Sequence, residues 1–143
     1  EYLSSPMYRI YSVAAAIPIG YVTTYGGIAN AAGSEARAVG RAMATNPFYP
    51  VVPCHRVVGA DMALVGYGGK QDQQALKAKL DRIAAELRGV EKEKEIAVDN
   101  GVLIVFPAEK VIHAVQEMER RKIEAGRRES EKAAADQQQL RLF

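Results

Sequence analysis

The 143-residue chain has no tryptophan, one cysteine and two histidines, and only 7% of its residues are aromatic. The lone Cys54 excludes an internal disulfide and any Cys-x-x-Cys pair. With only His55 and His113 beside it, the ligand set for a metal is poor, so a metal site is not expected. The matching environment is a reducing, intracellular one. No apolar run approaches the roughly 20 residues of a membrane span, and no charged segment followed by an apolar one opens the chain. A soluble protein is therefore expected. Without tryptophan, the core must be built from Val, Ile, Leu, Ala and Met, and the length suits one domain, alone or with an appendage. A net charge of +2 permits an anionic partner without requiring one.

What is present divides by its punctuation. MYRIYSVAAAI (7–17) has helical spacing and is closed by Pro18 and Gly20. IGYVTTYG (19–26) is β-branched and aromatic but short, and predicts a turn feeding the next element more than a full strand. Gly26 and Gly27 open a second helix that ends at Gly33. Ser34 is placed to cap a third helix, EARAVGRAMA, with an acidic residue in its first turn and its end near Thr45. Two short helices joined at a glycine make a helix-turn-helix. Asn46-Pro47 stops the second of them, and FYPVVPCHRVVG runs on as an extended, proline-punctuated segment. GADMALVGYGGK (59–70) is a glycine-rich loop. Residues 71–88 form a helix with Leu76, Leu80, Ile83, Ala84 and Leu87 on one face, ended by Gly89. EIAV, the turn DNG and VLIVF predict a hairpin, and Pro107 starts a last helix. Eleven of the sixteen residues from Glu117 to Lys132 are charged, six basic and five acidic, which predicts a solvated helix fraying into a disordered tail.

Most buried cysteines are small inert hydrophobes. Cys54 stands in PVVPCHRVVG (50–59), directly before a histidine, and a thiol becomes a useful nucleophile where a histidine or a helix N-terminus favours its thiolate. Adjacent residues of an extended segment point apart, so His55 has to act from a bent backbone or through a water.

Pro53-Cys54-His55-Arg56-Val57 resembles the active-site motif of the 6-O-alkylguanine-DNA alkyltransferases. IPIGYVTTYGGIA (17–29) is similar to that family's approach to its first DNA-binding helix, ARAVGRAMATNP (36–47) to its recognition helix and following turn, and VGYGG (65–69) to the loop walling its base pocket. The likeness spans residues 7–70 in the family's order. It implies a mostly α, winged helix-turn-helix-like domain that enters the minor groove and flips a damaged guanine out of the stack, because a stacked base cannot present its O-alkyl carbon to a buried thiol.

The resemblance also assigns roles. Arg37 takes the place of the finger that fills the vacated stack, with small Ala36, Ala38 and Gly40 beside it for close approach, and Thr24 and Arg56 complete the DNA-facing set. Tyr25 matches the pocket tyrosine that donates toward the purine. Asn46 matches the brace of the nucleophile's turn. Tyr67, Gly68 and Gly69 match the loop over the base, Gly68 standing where many members carry a serine, while the carbonyls of Cys54 and Val57 face the guanine amino group. His55 relays the thiol proton through water to a glutamate, and the alkyl group ends on Cys54 as a thioether, once per molecule and without a cofactor.

Three features depart from the pattern. The family's glutamate precedes a glycine as Leu-Glu-Gly; here Arg88 holds that place, and Glu86 is the nearest carboxylate, with Asp81 and Glu91 as alternatives. The family's amino-terminal domain has no counterpart, as in the alkyltransferase-like proteins that bind alkylguanine without repairing it. Beyond Gly89 lies an extension, so the expected division is 1–90 for the catalytic and DNA-binding domain, 91–125 for a hairpin and helix, and 126–143 for a charged tail. In QQQLRLF, Gln137, Leu140 and Phe143 have the spacing of a sliding-clamp-binding box. The leading expectation is a monomeric, single-turnover repair protein for duplex DNA bearing alkylated guanine, in the cytoplasm or a nucleus. The second is a non-catalytic damage sensor. A sequence-reading regulator fits less well, since EARAVGRAMA has few long polar side chains for base edges.

Overall fold

The computed structural model describes residues 5–99 and 101–141. Its elements are α1 (Ser5–Ala15), β1 (Tyr21–Thr24), α2 (Tyr25–Ala32), α3 (Ala36–Ala44), a 3-10 turn (Cys54–Arg56), β2 (Val57–Val58), a second 3-10 turn (Ala60–Met62), α4 (Gln73–Ala85), β3 (Lys94–Val98), β4 (Gly101–Pro107) and α5 (Glu109–Arg141). The strands form one sheet in the order β2-β1-β4-β3, with β1 parallel to β2 and the other pairs antiparallel.

The sheet separates two apolar clusters. Successive strand residues point to opposite faces. Val57, Leu103 and Val105 therefore join α1, α2 and α3 in the main core, while Val22 and Val58 meet Ile83 of α4 and Val111 of α5 on the other side. Because both faces of β1 are covered, its middle residues Val22 and Thr23 are fully buried, and the Thr23 hydroxyl donates to the Ile104 carbonyl at 2.9 Å. The short YVTT stretch is thus a central strand rather than the turn its length predicts. Likewise the hairpin is no peripheral extension: Leu103 and Val105 belong to the main core, so the boundary expected near residue 90 runs through one packed unit.

The helix-turn-helix forms as expected, with a different cap. Gly33 adopts the left-handed conformation (φ 65°, ψ 42°), and both its N–H and that of Ser34 donate back to the Ala29 carbonyl. Ser34 thereby closes α2, and Glu35 holds the N-cap position of α3 without a side-chain hydrogen bond. The Tyr11 hydroxyl donates to the Ala42 carbonyl at 2.9 Å and fixes α3 against α1. A Gly33→Ala substitution meets no atom within 4 Å, so its cost is backbone strain alone. It is expected to destabilise the protein by about 1 kcal/mol, measured by thermal or urea denaturation.

Further boundaries shift for local reasons. The Asp72 carboxylate accepts from Ala75 N–H at 2.8 Å, which starts α4 two residues later than expected. The helix ends at Ala85, so Leu87 lies beyond it and is exposed; Ala84 is exposed too, and the buried residues are Lys79 and Ile83. Pro107 closes β4 opposite Tyr21 instead of opening a helix, a strand-end place that tolerates its missing N–H. His113 sits exposed on α5, outside both clusters.

Only the first turns of α5 pack on the body, yet the helix continues to Arg141, about 50 Å at 1.5 Å per residue. Ion pairs three and four residues apart, Glu117 with Arg120 and Arg121 and Glu124 with Arg127 and Arg128, line the stretch where fraying is expected. Asn100 of the hairpin turn and Phe143 of the clamp-like spacing lie outside the described residues; Gln137 and Leu140 are exposed on α5. Among the described residues, no helix is long and apolar enough to cross a membrane.

Candidate functional site

Pro53 cannot extend a regular ladder, and after it the chain tightens into the 3-10 turn Cys54–Arg56, whose Arg56 N–H donates to the Pro53 carbonyl at 2.9 Å. This bend lets neighbouring side chains serve different surroundings. Cys54, 9% exposed, lines a cavity of about 610 Å³, whereas His55, 2% exposed, turns toward the end of α4.

Behind the cysteine lies a charged cluster. His55 Nε2 is 2.8 Å from Glu86 Oε1. Arg56 forms a two-pronged pair with the same carboxylate, Nε to Oε1 at 2.9 Å and Nη2 to Oε2 at 2.8 Å, and its Nη1 donates to the Ile17 carbonyl at 2.8 Å. Burial opposes charge on Glu86, but hydrogen bonds from Arg56 and His55 and their charges outweigh it and hold the carboxyl below its ordinary range. Burial pushes His55 below the ordinary imidazole value, against the pull of Glu86, so the resting pair is an ionised carboxylate and a neutral ring. With Nε2–H donating to Glu86, Nδ1 carries the lone pair. It is buried and has no hydrogen-bond partner among the described residues.

Of the three carboxylates weighed from the sequence, Glu86 is the one that meets His55. Arg88 turns away: its stem lies over Gly20, where an added Cβ would come within 2.7 Å of the Arg88 Cγ. Arg56 leaves the DNA-facing set, because its guanidinium is committed to Glu86 and Ile17.

The other site residues divide into cavity wall and support. Tyr25 of α2, Ala36, Arg37 and Gly40 of α3, and Tyr67, Gly68 and Gly69 of the loop line the cavity with Cys54. Gly68 (φ 59°) and Gly69 (φ 77°) make a tight turn closed by paired Tyr67 and Lys70 backbone bonds, a conformation that glycine supplies without strain. Asn46 donates from Nδ2 to the Val52 carbonyl at 2.7 Å and accepts from Phe48 N–H at 2.9 Å, which ties the segment before the cysteine into a closed loop. The Thr24 hydroxyl caps α2 by accepting from Gly27 N–H. Ala38 packs partly against the core rather than the cavity. Val57, fully buried in the sheet opposite Thr23, is not among the residues lining the cavity, and its N–H donates to the Cys54 carbonyl, which keeps a second lone pair.

Sequence reasoning missed Lys79. It is 1% exposed, lines the cavity, and donates from Nζ to the Gly66 carbonyl at 2.8 Å and the Tyr25 hydroxyl at 3.3 Å. Burial lowers its pKa to about 8, with Cys54 opposing, while burial first, then the Cys54 charge, raises that of Tyr25 and keeps the phenol protonated. The available signal was its place three residues after Leu76 and four before Ile83, on the inward face. Arg41, four residues after Arg37, also lines the cavity and follows from helical spacing. Among the described residues, no group of three or more His, Cys, Asp or Glu side chains is arranged to hold a metal.

The family model for the DNA-binding domain of 6-O-methylguanine DNA methyltransferase matches residues 6–87. The methylated-DNA–protein-cysteine methyltransferase of Mycobacterium leprae is 41% identical over 76 residues, 52% of this chain and 46% of that protein. A DNA base-flipping protein of Thermus thermophilus is 39% identical over 85 residues, 59% of this chain and 56% of that one. Among solved structures, Mycobacterium tuberculosis OGT in complex with DNA aligns with TM-score 0.52 and 37% identity over 59% of this chain and 49% of that chain. S. pombe Atl1 in complex with damaged DNA containing O6-carboxymethylguanine aligns with TM-score 0.51 and 30% identity, over 71% of this chain and 89% of that chain. The chain spans about half the length of the curated relatives it matches.

Proposed function

Since the chain belongs to the 6-O-methylguanine DNA methyltransferase DNA-binding domain family, we propose that it binds duplex DNA through α2 and α3, extrudes an alkylated guanine into the cavity and transfers the alkyl group to Cys54. The observation that carries this reading is the conjunction of a thiol in the cavity wall with a buried histidine directly behind it, paired to a half-buried carboxylate and guanidinium.

The steps follow from the geometry. Exposed Arg37 enters the stack as the base leaves, compensating part of an unstacking cost of about a few kcal/mol. Neutral His55 accepts the Cys54 proton at Nδ1, through one water, and Glu86 stabilises the imidazolium that results. The thiolate attacks the alkyl carbon; the S–C bond forms as the C–O6 bond breaks, and the electron pair leaves with guanine. Protonated Tyr25 donates toward the ring as that charge develops. The thioether has no route back, so one protein molecule acts once.

Incubated with a duplex carrying one 6-O-methylguanine, the protein is expected to gain one CH₂ of mass, mapped to Cys54 by peptide mass spectrometry, and none with unmodified DNA. The similarity to Atl1 over most of that chain, and to the base-flipping protein, favours a second reading in which the base is flipped and held as a signal. Selective binding with an unmodified thiol would replace the first reading with this one.

A further inference from the structure

Arg82 of α4 is exposed, and the carboxylate one turn on, Glu86, is engaged by His55 and Arg56. Its guanidinium turns instead to two tyrosines. Nη1 donates to the Tyr49 hydroxyl at 2.5 Å, and Cζ stands 5.0 Å from the centre of the Tyr49 ring and 5.7 Å from that of Tyr67. Both rings are near enough to attract a cation. Burial raises the Tyr67 phenol to about 12 against the pull of Arg82, so the ring that faces the cation stays neutral. The two rings lead to different parts of the site. Tyr67 lines the cavity from the glycine loop, whereas Tyr49, in the segment before Cys54, packs edge-on against the His55 ring with centroids 5.5 Å apart. Arg82 thus ties α4 to both loops that flank the thiol, although it does not line the cavity itself. The groups facing His55 are Tyr49, Arg56 of its own turn, and Glu86 and Arg82 of α4. Burial is the main influence lowering that ring's pKa; Glu86 opposes it, and the charges of Arg56 and Arg82 add to it.

We propose that Arg82 is a positioning residue that couples base capture to the proton acceptor: it holds Tyr67 in the cavity wall and, through Tyr49, seats His55 behind Cys54. The inference rests on the alkylguanine-binding reading and adds the side chain that joins the pocket loop to the histidine. It is independent of whether the alkyl group is transferred or only recognised.

The test compares Arg82→Met and Arg82→Lys with the parent protein in two measurements, the fold being checked by circular dichroism. The first is binding to a 6-O-methylguanine duplex and to the same duplex unmodified, in a Cys54→Ser background so that no alkyl group moves during the measurement. Arg82→Met is expected to weaken binding of the modified duplex about fivefold and to leave the unmodified one within about twofold, the scale of two exposed cation–ring contacts. The second needs no DNA: an NMR titration of the His55 ring, with exposed His113 as the internal reference. The His55 pKa is expected to rise in Arg82→Met, because an opposing positive charge is lost. Arg82→Lys keeps the charge but not the planar group that spans both rings, so it should restore the titration and only part of the binding. An unchanged ratio of the two affinities in Arg82→Met would overturn the inference, whether neither has moved or both have fallen together as for a phosphate contact. A His55 titration that stays in place in Arg82→Met would overturn it as well. A parent protein that does not distinguish the two duplexes would instead remove the alkylguanine reading, and the titration alone would then decide whether Arg82 acts on the histidine.

Discussion

Replacing Glu86 with glutamine is expected to slow the proposed single-turnover alkyl transfer by about 10²-fold, the lower end of what a general base contributes, because the base His55 loses the charge that supports it. The carboxylate has two effects on His55: it fixes Nε2 as the donor, so that Nδ1 faces its task with a free lone pair, and its charge raises the basicity of a ring that burial depresses. Glutamine loses the charge, and its oxygen remains engaged by Arg56. The pH profile separates this from a mere loss of packing. In the proposed mechanism transfer requires neutral His55, so the wild-type rate is expected to fall on the acid side as the ring protonates, below the ordinary imidazole range. Removing an influence that raises this pKa moves the acid limb to lower pH while the plateau drops. An unchanged limb with a reduced plateau would deny Glu86 its part in tuning His55.

Arg56→Met is expected to cost about 2 kcal/mol of stability in urea denaturation, below the range for a fully buried pair because both side chains keep some exposure. The guanidinium joins the nucleophile's turn to the end of α4 and to the carbonyl of Ile17, so its loss strands a carboxylate and an acceptor together. Arg56→Lys keeps the charge without the planar fork and should lose roughly half as much. The acid dependence gives an independent reading. Glu86 is held below its unfolded value, so its contribution is fully present above the ordinary carboxylate pKa and is lost as pH falls through the lower folded one. In Arg56→Met that part of the acid-side slope should flatten. Stability and slope both unchanged would mean that the pair is not what holds the turn.

Local chemistry was legible from residues alone wherever a short segment decides the outcome by itself. Gly33 after a small-residue helix requires a left-handed turn, and Asn46-Pro47 ends α3. The hairpin and the charged helix are written in their own periodicities, and the proline–cysteine–histidine run marks the proposed nucleophile. The misreadings fall where a neighbour distant in sequence overrides a local preference. YVTT becomes a strand because β2 and β4 arrive on either side of it. Ser34 is the local exception: it serves the helix before it because the Ala29 carbonyl, five residues back, takes its N–H. Arg56 is withdrawn from DNA because Glu86, thirty residues later, is ionised beside it.

By itself, then, the sequence determined the helix-turn-helix and singled out the thiol, and its motifs picked out part of the cavity wall, Tyr25, Arg37 and Tyr67, since these depend on short segments and on spacing within single elements. Tertiary structure alone decided which carboxylate reaches His55 and that Lys79, held by Gly66 and Tyr25, is buried in the cavity wall with Cys54. The reason is geometric. A helix fixes which of its residues share a face, but only the packing of α4 against the sheet and the Cys54–Arg56 turn sets which face is inward and how far along it the partners stand.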